Sequence, residues 1–251
     1  MNSDINRKIP FFRYFPKSIK FYNLKNEKLG AMIFIVLLAI NFCSSYYISR
    51  FTGEFNVDSS QILASDVVNT FELLLRLGLI SMVSTLLMTI FSSFYIFAFI
   101  RDLRGIPYTL AECLKYTGSK LIFLVILSVL VSLSISLGSM FLIVPGLILY
   151  IMFIFANQFM LDQDKGIFNS LKASVKLTKG YKMGIFTAVL LFNLLILIFP
   201  TFVEAGSGLY VFSFVSAFIS TIFNIIFQRF ITLIYYDLEY IRKPRNIDIN
   251  V

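Results

Sequence analysis

From Leu121 to Leu161 the chain runs through 41 residues without one Asp, Glu, Lys or Arg. At about 1.5 Å per helical residue, a single helix over this stretch would be roughly 60 Å long, twice the ~30 Å hydrocarbon core of a bilayer. Two antiparallel helices fit instead, and a Pro145-Gly146 pair stands inside the run. Pro is tolerated at the first position of a helix, where its missing N–H would have had no partner. The pattern predicts that Gly138-Ser139 stops one helix and Pro145 starts the next, a structural hairpin without chemistry.

The rest of the chain has the same character. Hydrophobic residues make up 58% and charged residues 14%, with a mean hydropathy of +0.82. A soluble domain carries about 25% charged residues, so a membrane protein is predicted. Six spans are read at about Ala31–Ile48, Leu73–Ile100, Leu121–Gly138, Pro145–Leu161, Met183–Phe199 and Leu209–Tyr236. The expected fold is an all-α integral membrane protein of about six transmembrane helices arranged as three hairpins. Its organisation is a basic N-terminal segment over residues 1–30, a membrane domain over 31–236 and a tail over 237–251. Roughly thirty residues precede the first span with no small-residue cleavage site close after it, so that span is expected to be retained as an anchor.

Orientation follows from the positive-inside rule. Of 22 Lys and Arg, nineteen lie in the N-terminal segment, the second-to-third loop, the fourth-to-fifth loop and the C-terminus. The opposite loops hold Arg50 with Glu54, Asp58, Asp66 and Glu204. Both termini are therefore expected in the cytoplasm of a multi-pass cell-membrane protein, with the Pro-Gly hairpin facing out. The formal net charge of +8 is then a topology signal rather than a nucleic-acid footprint. The same cations would attract anionic lipid headgroups at the cytoplasmic face.

An internal repeat accompanies the basic loops. "GIPYTLAECLKYTGSK" (Gly105–Lys120) aligns without gaps to "GIFNSLKASVKLTKGY" (Gly166–Tyr181) at an offset of 61, and "SIKFYNLKNEKLGAMIF" (Ser18–Phe34) is a weaker third copy. Each opens near Ser or Thr, suited to a helix N-cap. In the second copy Ile167, Leu171, Ser174-Val175 and Thr178 fall on one face, with Lys172, Lys176 and Lys179 on the other, as for a helix lying in the interface. Either these are three similar basic loops, or each hairpin is preceded by a short cytoplasmic amphipathic helix.

"LIVPGLILYIMFIFANQFMLDQDKGIFNSLKASVKLTKG" and the later "YYDLE" resemble the membrane domain of the glycerophosphoryl diester phosphodiesterase type, which also occurs alone in YciC-like bacterial membrane proteins. The resemblance rests on Pro145 and Gly146 at a span start, on Ser174, Leu177 and Gly180 in the following loop, and on Tyr235, Tyr236, Asp237 and Leu238. It is clearest over Phe99–Gly180 and implies a helical membrane architecture. The chain departs from the pattern at Met152, where a basic residue is common, and at Glu239, where Arg usually follows.

The sequence contains no His, the commonest general base near neutral pH and the commonest metal ligand. No Gly-rich phosphate loop or paired-carboxylate constellation adjoins the spans, so no enzyme, cofactor or metal is expected. Cys43 and Cys113 fall in distant segments, and no disulfide is expected. Charged groups at membrane depth default to functional hypotheses. Glu72 and Arg76, at i,i+4, read either as a functional ion pair or as an interfacial one. Arg229 reads either as a snorkelling side chain or as a contact to lipid or ligand. Ser216, Ser220, Asn224 and Gln228 recur every four residues along the sixth span, suited to close helix packing or to a polar groove. Two functions stay open. One is a noncatalytic module of accessory, protective (immunity-type) or scaffold character, binding another membrane protein or a peptide. The other is a transporter or lipid-handling protein using the sixth-span stripe.

Overall fold

The computed structural model describes residues 9–54, 64–197 and 209–242. Asp58, Glu204, the end of the fifth predicted span at Phe199 and the tail from Lys243 lie outside the described residues. Every regular element described is helical. Five stretches are long and apolar enough to cross a membrane: Glu27–Arg50, Phe71–Arg104, Leu121–Met140, Val144–Gln163 and Ser213–Arg242. Large apolar side chains such as Ile35, Leu79, Met82, Ile122 and Leu137 stand exposed along them, a surface that water would not tolerate at this density. The protein is a multi-pass helical membrane protein.

In chain order the helices are α1 (Phe11–Ile19), α2 (Glu27–Glu54), α3 (Ala64–Arg104), α4 (Leu110–Ser119), α5 (Leu121–Phe141), α6 (Ile143–Phe153), α7 (Ala156–Gln163), α8 (Ile167–Thr178), α9 (Lys182–Leu197) and α10 (Leu209–Tyr236). A π-helical turn, Asp237–Arg242, continues α10. α2 packs along α3 and α10, and α5 along α6. α9, only 16 residues long where described, meets α10 through Phe192, whose ring lies 5.1 Å from Phe227 and 5.4 Å from Phe230. The core gathers toward the end that carries the basic loops. Residues 92–100 of α3 are all buried there, whereas most of residues 71–89 is exposed or half-buried.

The α5–α6 turn is built as the Pro-Gly pair suggests, with shifted boundaries. α5 runs on to Phe141, Leu142 is the one extended residue, and Pro145 is the third residue of α6 rather than its first. It still sits in the first turn, where backbone N–H groups have no helical partner. Gly138 and Gly146 allow the close approach. A Cβ on Gly138 would lie 3.1 Å from Gly146 Cα, and one on Gly146 would lie 2.9 Å from the Ser139 backbone nitrogen.

The predicted fourth span is not one helix. It breaks between α6 and α7 at Ile154-Phe155 because Ser174 enters the hydrogen-bond ladder. The Ser174 hydroxyl donates to Met152 O at 2.7 Å and accepts from Phe155 N–H at 3.2 Å. α8 thus docks on the side of a span: it buries Ser170, Ser174 and Thr178, with Ile167 and Leu171 half-buried against the core beside them. Nor does a Ser or Thr cap it, since its N-cap is Gly166.

The repeat is visible in three dimensions. Cys113, which aligns with Ser174, is fully buried on α4, and its Sγ approaches Phe94 O of the preceding span at 3.7 Å. α4 opens with a capping box between Thr109 and Glu112. The third copy is displaced: residues 20–26 form turn and loop, and the short helix is α1, upstream of most of Ser18–Phe34. α1 buries Tyr14 and Ser18 as α4 buries Cys113 and Thr117. It packs on α10, the last span, as α4 packs on α3 and α8 on α6 and α7. The pattern of span followed by docked short helix closes from the C-terminal span back to the N-terminal helix.

Candidate functional site

The sixth-span stripe does line a groove. Ser216, Ser220, Asn224 and Gln228 of α10 face a space of about 690 Å³ whose other walls are α2 and α3. α2 contributes Asn41, Ser44 and Ser45, and α3 contributes Ser81, Ser84, Thr85, Thr89 and Ser92. Among the described residues, no Asp, Glu, Lys or Arg lines it. Hydroxyls on α3 back-bond to their own helix, Thr85 to Ser81 O at 2.7 Å and Thr89 to Thr85 O at 2.8 Å, so they face the groove with their donors satisfied. Asn41 Nδ2 donates to Thr221 Oγ1 at 2.8 Å and ties α2 to α10. Asn224 Oδ1 is buried with no partner among the described residues, an acceptor left open at the wall of a polar space.

A second, apolar groove of about 500 Å³ runs between α2 and α3, lined by Ile40, Cys43, Tyr47, Leu79, Val83 and Leu87. Ser44 and Ser84 border both grooves. The α2–α3 pair therefore carries polar space on one side and apolar space on the other, meeting at those two serines. The polar space starts well short of the basic end, since Ser92 is twelve residues before Arg104, about 18 Å at helical rise.

Arg229 belongs to neither groove, which corrects its grouping with Gln228, Asn224 and Ser220. It is buried to 8% exposure, and it does not snorkel. Its Nε donates to Lys17 O at 3.2 Å, and one terminal nitrogen reaches Tyr95 OH at 3.2 Å and Asn23 O at 3.4 Å. Its guanidinium lies 4.2 Å from the Phe99 ring centroid. The carbonyl of Lys17 belongs to the last turn of α1, where the helix dipole favours a cation. Adjacent residues on a helix point about 100° apart, so Gln228 can line the groove while Arg229 clamps α1, α3 and the intervening loop.

The closing Tyr-Tyr-Asp-Leu segment also works as a clamp. Asp162, 1% exposed in its side chain, pairs with Arg104 at 2.7 Å and accepts from Tyr235 OH at 2.7 Å and Tyr240 OH at 2.5 Å. Three span ends thereby converge on Oδ2 of one carboxylate, where the Arg104 charge and two tyrosine hydroxyls compensate its burial, the condition under which a buried charge is tolerated. Asp237 accepts from Tyr14 OH at 2.6 Å and pairs with Arg242 at 2.5 Å, fixing α1 to the end of α10. The Tyr236 and Tyr240 rings lie 5.2 Å apart, tilted by 34°. Gly180 has φ +90°, a backbone that only glycine adopts without strain, in the turn from α8 to α9.

Glu72 and Arg76 do pair, at 2.5 Å, with side chains 58% and 57% exposed. They stand apart from both grooves. Cys43 is exposed and Cys113 buried, and both are free thiols. Burial pushes the Cys113 thiol up to about 11, which suits a packing role. Among the described residues no three His, Cys, Asp or Glu side chains gather as a metal site.

Sequence reasoning missed Asp162, Arg104, Tyr95 and Tyr14, and it missed the α3 wall of the groove. Signals for two of these were present. Asp162 is the first charge after the 41-residue run, and Ser81, Thr85 and Thr89 repeat every four residues as the α10 stripe does. Comparison of the chain with known protein families, with characterised proteins and with solved structures finds no match in any of the three.

Proposed function

We propose that the chain is a noncatalytic multi-pass membrane module that accommodates an amphiphile inside the bilayer, in the groove between α2, α3 and α10. The observation that carries this reading is the meeting of a charge-free polar groove and an apolar groove at Ser44 and Ser84. A polar head would accept hydrogen bonds from Ser, Asn and Gln side chains and donate one to the open Asn224 Oδ1, while a tail lies against Leu79, Val83 and Leu87. With no Asp, Glu, Lys or Arg in the lining among the described residues, a neutral or zwitterionic head fits better than an anion, because an uncompensated charge at that depth is costly. The absence of His from the sequence supports a binding rather than a catalytic role. The reading includes six spans as three hairpins in the cell membrane, α9 being the fifth, with both termini cytoplasmic. It agrees with the likeness to the phosphodiesterase-type and YciC-like membrane domain.

Native mass spectrometry of the purified full chain, loaded with phosphatidylethanolamine in a neutral detergent, tests it. The wild type should retain one bound lipid that Asn224→Leu and Ser84→Leu each weaken about tenfold while their thermal midpoints hold. Equal retention by all three would remove the groove as a lipid site. Small polar rows also suit helix–helix approach, which favours a companion reading as an accessory, protective or scaffold protein whose groove holds a partner's transmembrane helix or a peptide. In that case the two variants would lose a co-purifying chain and keep their lipid.

A further inference from the structure

Two further pockets lie at the basic end, and they are related by the internal repeat. One, of about 380 Å³, sits between α7, α8 and the π-helical turn, with Lys165, Lys176 and Lys179 around a floor of Phe159, Leu177 and Leu238. The other, of about 460 Å³, sits between α3 and α4, with Arg101 and Lys115 around Phe97 and Tyr116. Lys115 and Tyr116 correspond to Lys176 and Leu177 at the repeat offset of 61. In each pocket a cation stands over a ring from the preceding span: Arg101 is 5.1 Å from the Phe97 centroid, and Lys165 is 4.6 Å from the Phe159 centroid. The second cation comes from the docked short helix in both.

The charges are not spent on each other. Among the described residues, Lys165, Lys176 and Lys179 make no ion pair. Two acids line the pockets. Glu112 is held in its capping box by Thr109 N–H at 2.9 Å, and Glu239 accepts from Gln163 at 3.2 Å. Arg242, also at the first pocket, is paired with Asp237. A cationic rim above an aromatic and aliphatic floor, at the end of membrane-length apolar helices, matches a phosphate attached to an apolar body. A bare phosphate would bind the rim and leave the floor bare.

We infer that these repeat-related pockets are a pair of sites for the phosphate headgroups of anionic membrane lipids. Basic pockets between span ends hold such headgroups by charge-assisted hydrogen bonds, and their affinity falls with salt. The inference is independent of the α2–α3–α10 groove, whose lining carries no charge among the described residues.

The test uses the full chain in neutral detergent, with phosphatidylglycerol, phosphatidylcholine of the same acyl chains, and inorganic phosphate as probes. Native mass spectrometry should find two tightly retained phosphatidylglycerol molecules, lost progressively as salt is raised. The combined variant Lys165→Gln, Lys176→Gln, Lys179→Gln should retain one, with about tenfold weaker binding of the second, and Arg101→Gln, Lys115→Gln should lose the other. Asn224→Leu should leave the phosphatidylglycerol count unchanged. A thermal midpoint equal to wild type without lipid identifies the variants as folded, and salt sensitivity in the wild type tests the sites without any variant. Equal retention of phosphatidylcholine, salt-insensitive retention, or an unchanged count in both variants would overturn the inference. A gain in thermal midpoint from inorganic phosphate matching that from the lipid would overturn the lipid as the source.

Discussion

The Arg229 guanidinium nitrogen Nε lies 3.2 Å from the main-chain oxygen of Lys17, 212 residues away in sequence. That contact joins the last span to the first short helix and closes the cycle of docked helices. Lys at 229 would keep the charge and lose the planar fork that reaches Lys17, Asn23 and Tyr95 together. Arg229→Lys is therefore expected to insert normally and retain groove lipid, while losing about 2 kcal/mol of stability, the scale of buried hydrogen bonds to a charged group. Thermal unfolding in detergent measures it, and an unchanged midpoint would contradict the clamp.

Ser174 replaces a helical hydrogen bond at the α6–α7 break with two of its own. Ser174→Ala should leave Met152 O and Phe155 N–H buried without that partner and cost about 1–3 kcal/mol. Ser170→Ala, which removes a hydroxyl that donates to Lys165 O at 3.2 Å, should cost less because one bond is lost. Urea or thermal titration of the pair would reveal the order, and equal loss would count against the ladder-insertion account.

Gly146→Leu should lower the folded yield, because even its Cβ would press within 2.9 Å of the Ser139 backbone, and a helix backbone cannot yield as a side-chain tip can. Orientation should be unaffected, since the cations that set it lie elsewhere. Size-exclusion profiles of the variant against wild type report the yield. A normally folded variant would mean that α5 and α6 separate without penalty.

Burial and the hydrogen bond to Asp237 raise the Tyr14 hydroxyl from its ordinary 10 to about 12. The folded state then holds the proton more tightly than the unfolded one, so the stabilisation is complete below about pH 10 and is lost as pH rises toward 12. Tyr14→Phe should be less stable at neutral pH and lose less between pH 10 and 12 than wild type. Parallel slopes for the two proteins across that interval would count against the Tyr14–Asp237 bond as a contributor.

In a Cys43→Ala background, cysteines at Asn56 and Gly206 should label from outside intact cells with an impermeant maleimide, while one at Asn169 on α8 should not. Nineteen cations on one side of the chain against Arg50 on the other set that expectation through the positive-inside rule. External labelling at Asn169 would invert the topology.

Features that depend on local composition and period are legible in the linear chain. An uncharged run twice a bilayer's thickness must fold back, and Pro145-Gly146 marked where, because a helix start and a close approach each demand those residues. The 61-residue offset marked a repeated segment at α4 and α8, read as basic loops or interfacial helices, and four-residue spacing placed Ser216, Ser220, Asn224 and Gln228 on one face of α10. Tertiary structure decided what each polar group meets. In a span, lipid and protein neighbours are equally apolar, so hydropathy carries little information about helix rotation and none about which faces become partners. Whether Arg229 joined the groove beside Gln228 or turned to Lys17 depended on a 100° rotation between neighbours and on where α1 came to rest. Ser174 could break a span, and Asp162 could gather Arg104, Tyr235 and Tyr240, only once elements tens of residues apart had packed. A hydrogen bond is fixed by distances of about 3 Å, and linear order does not set such distances between helices that are far apart in the chain.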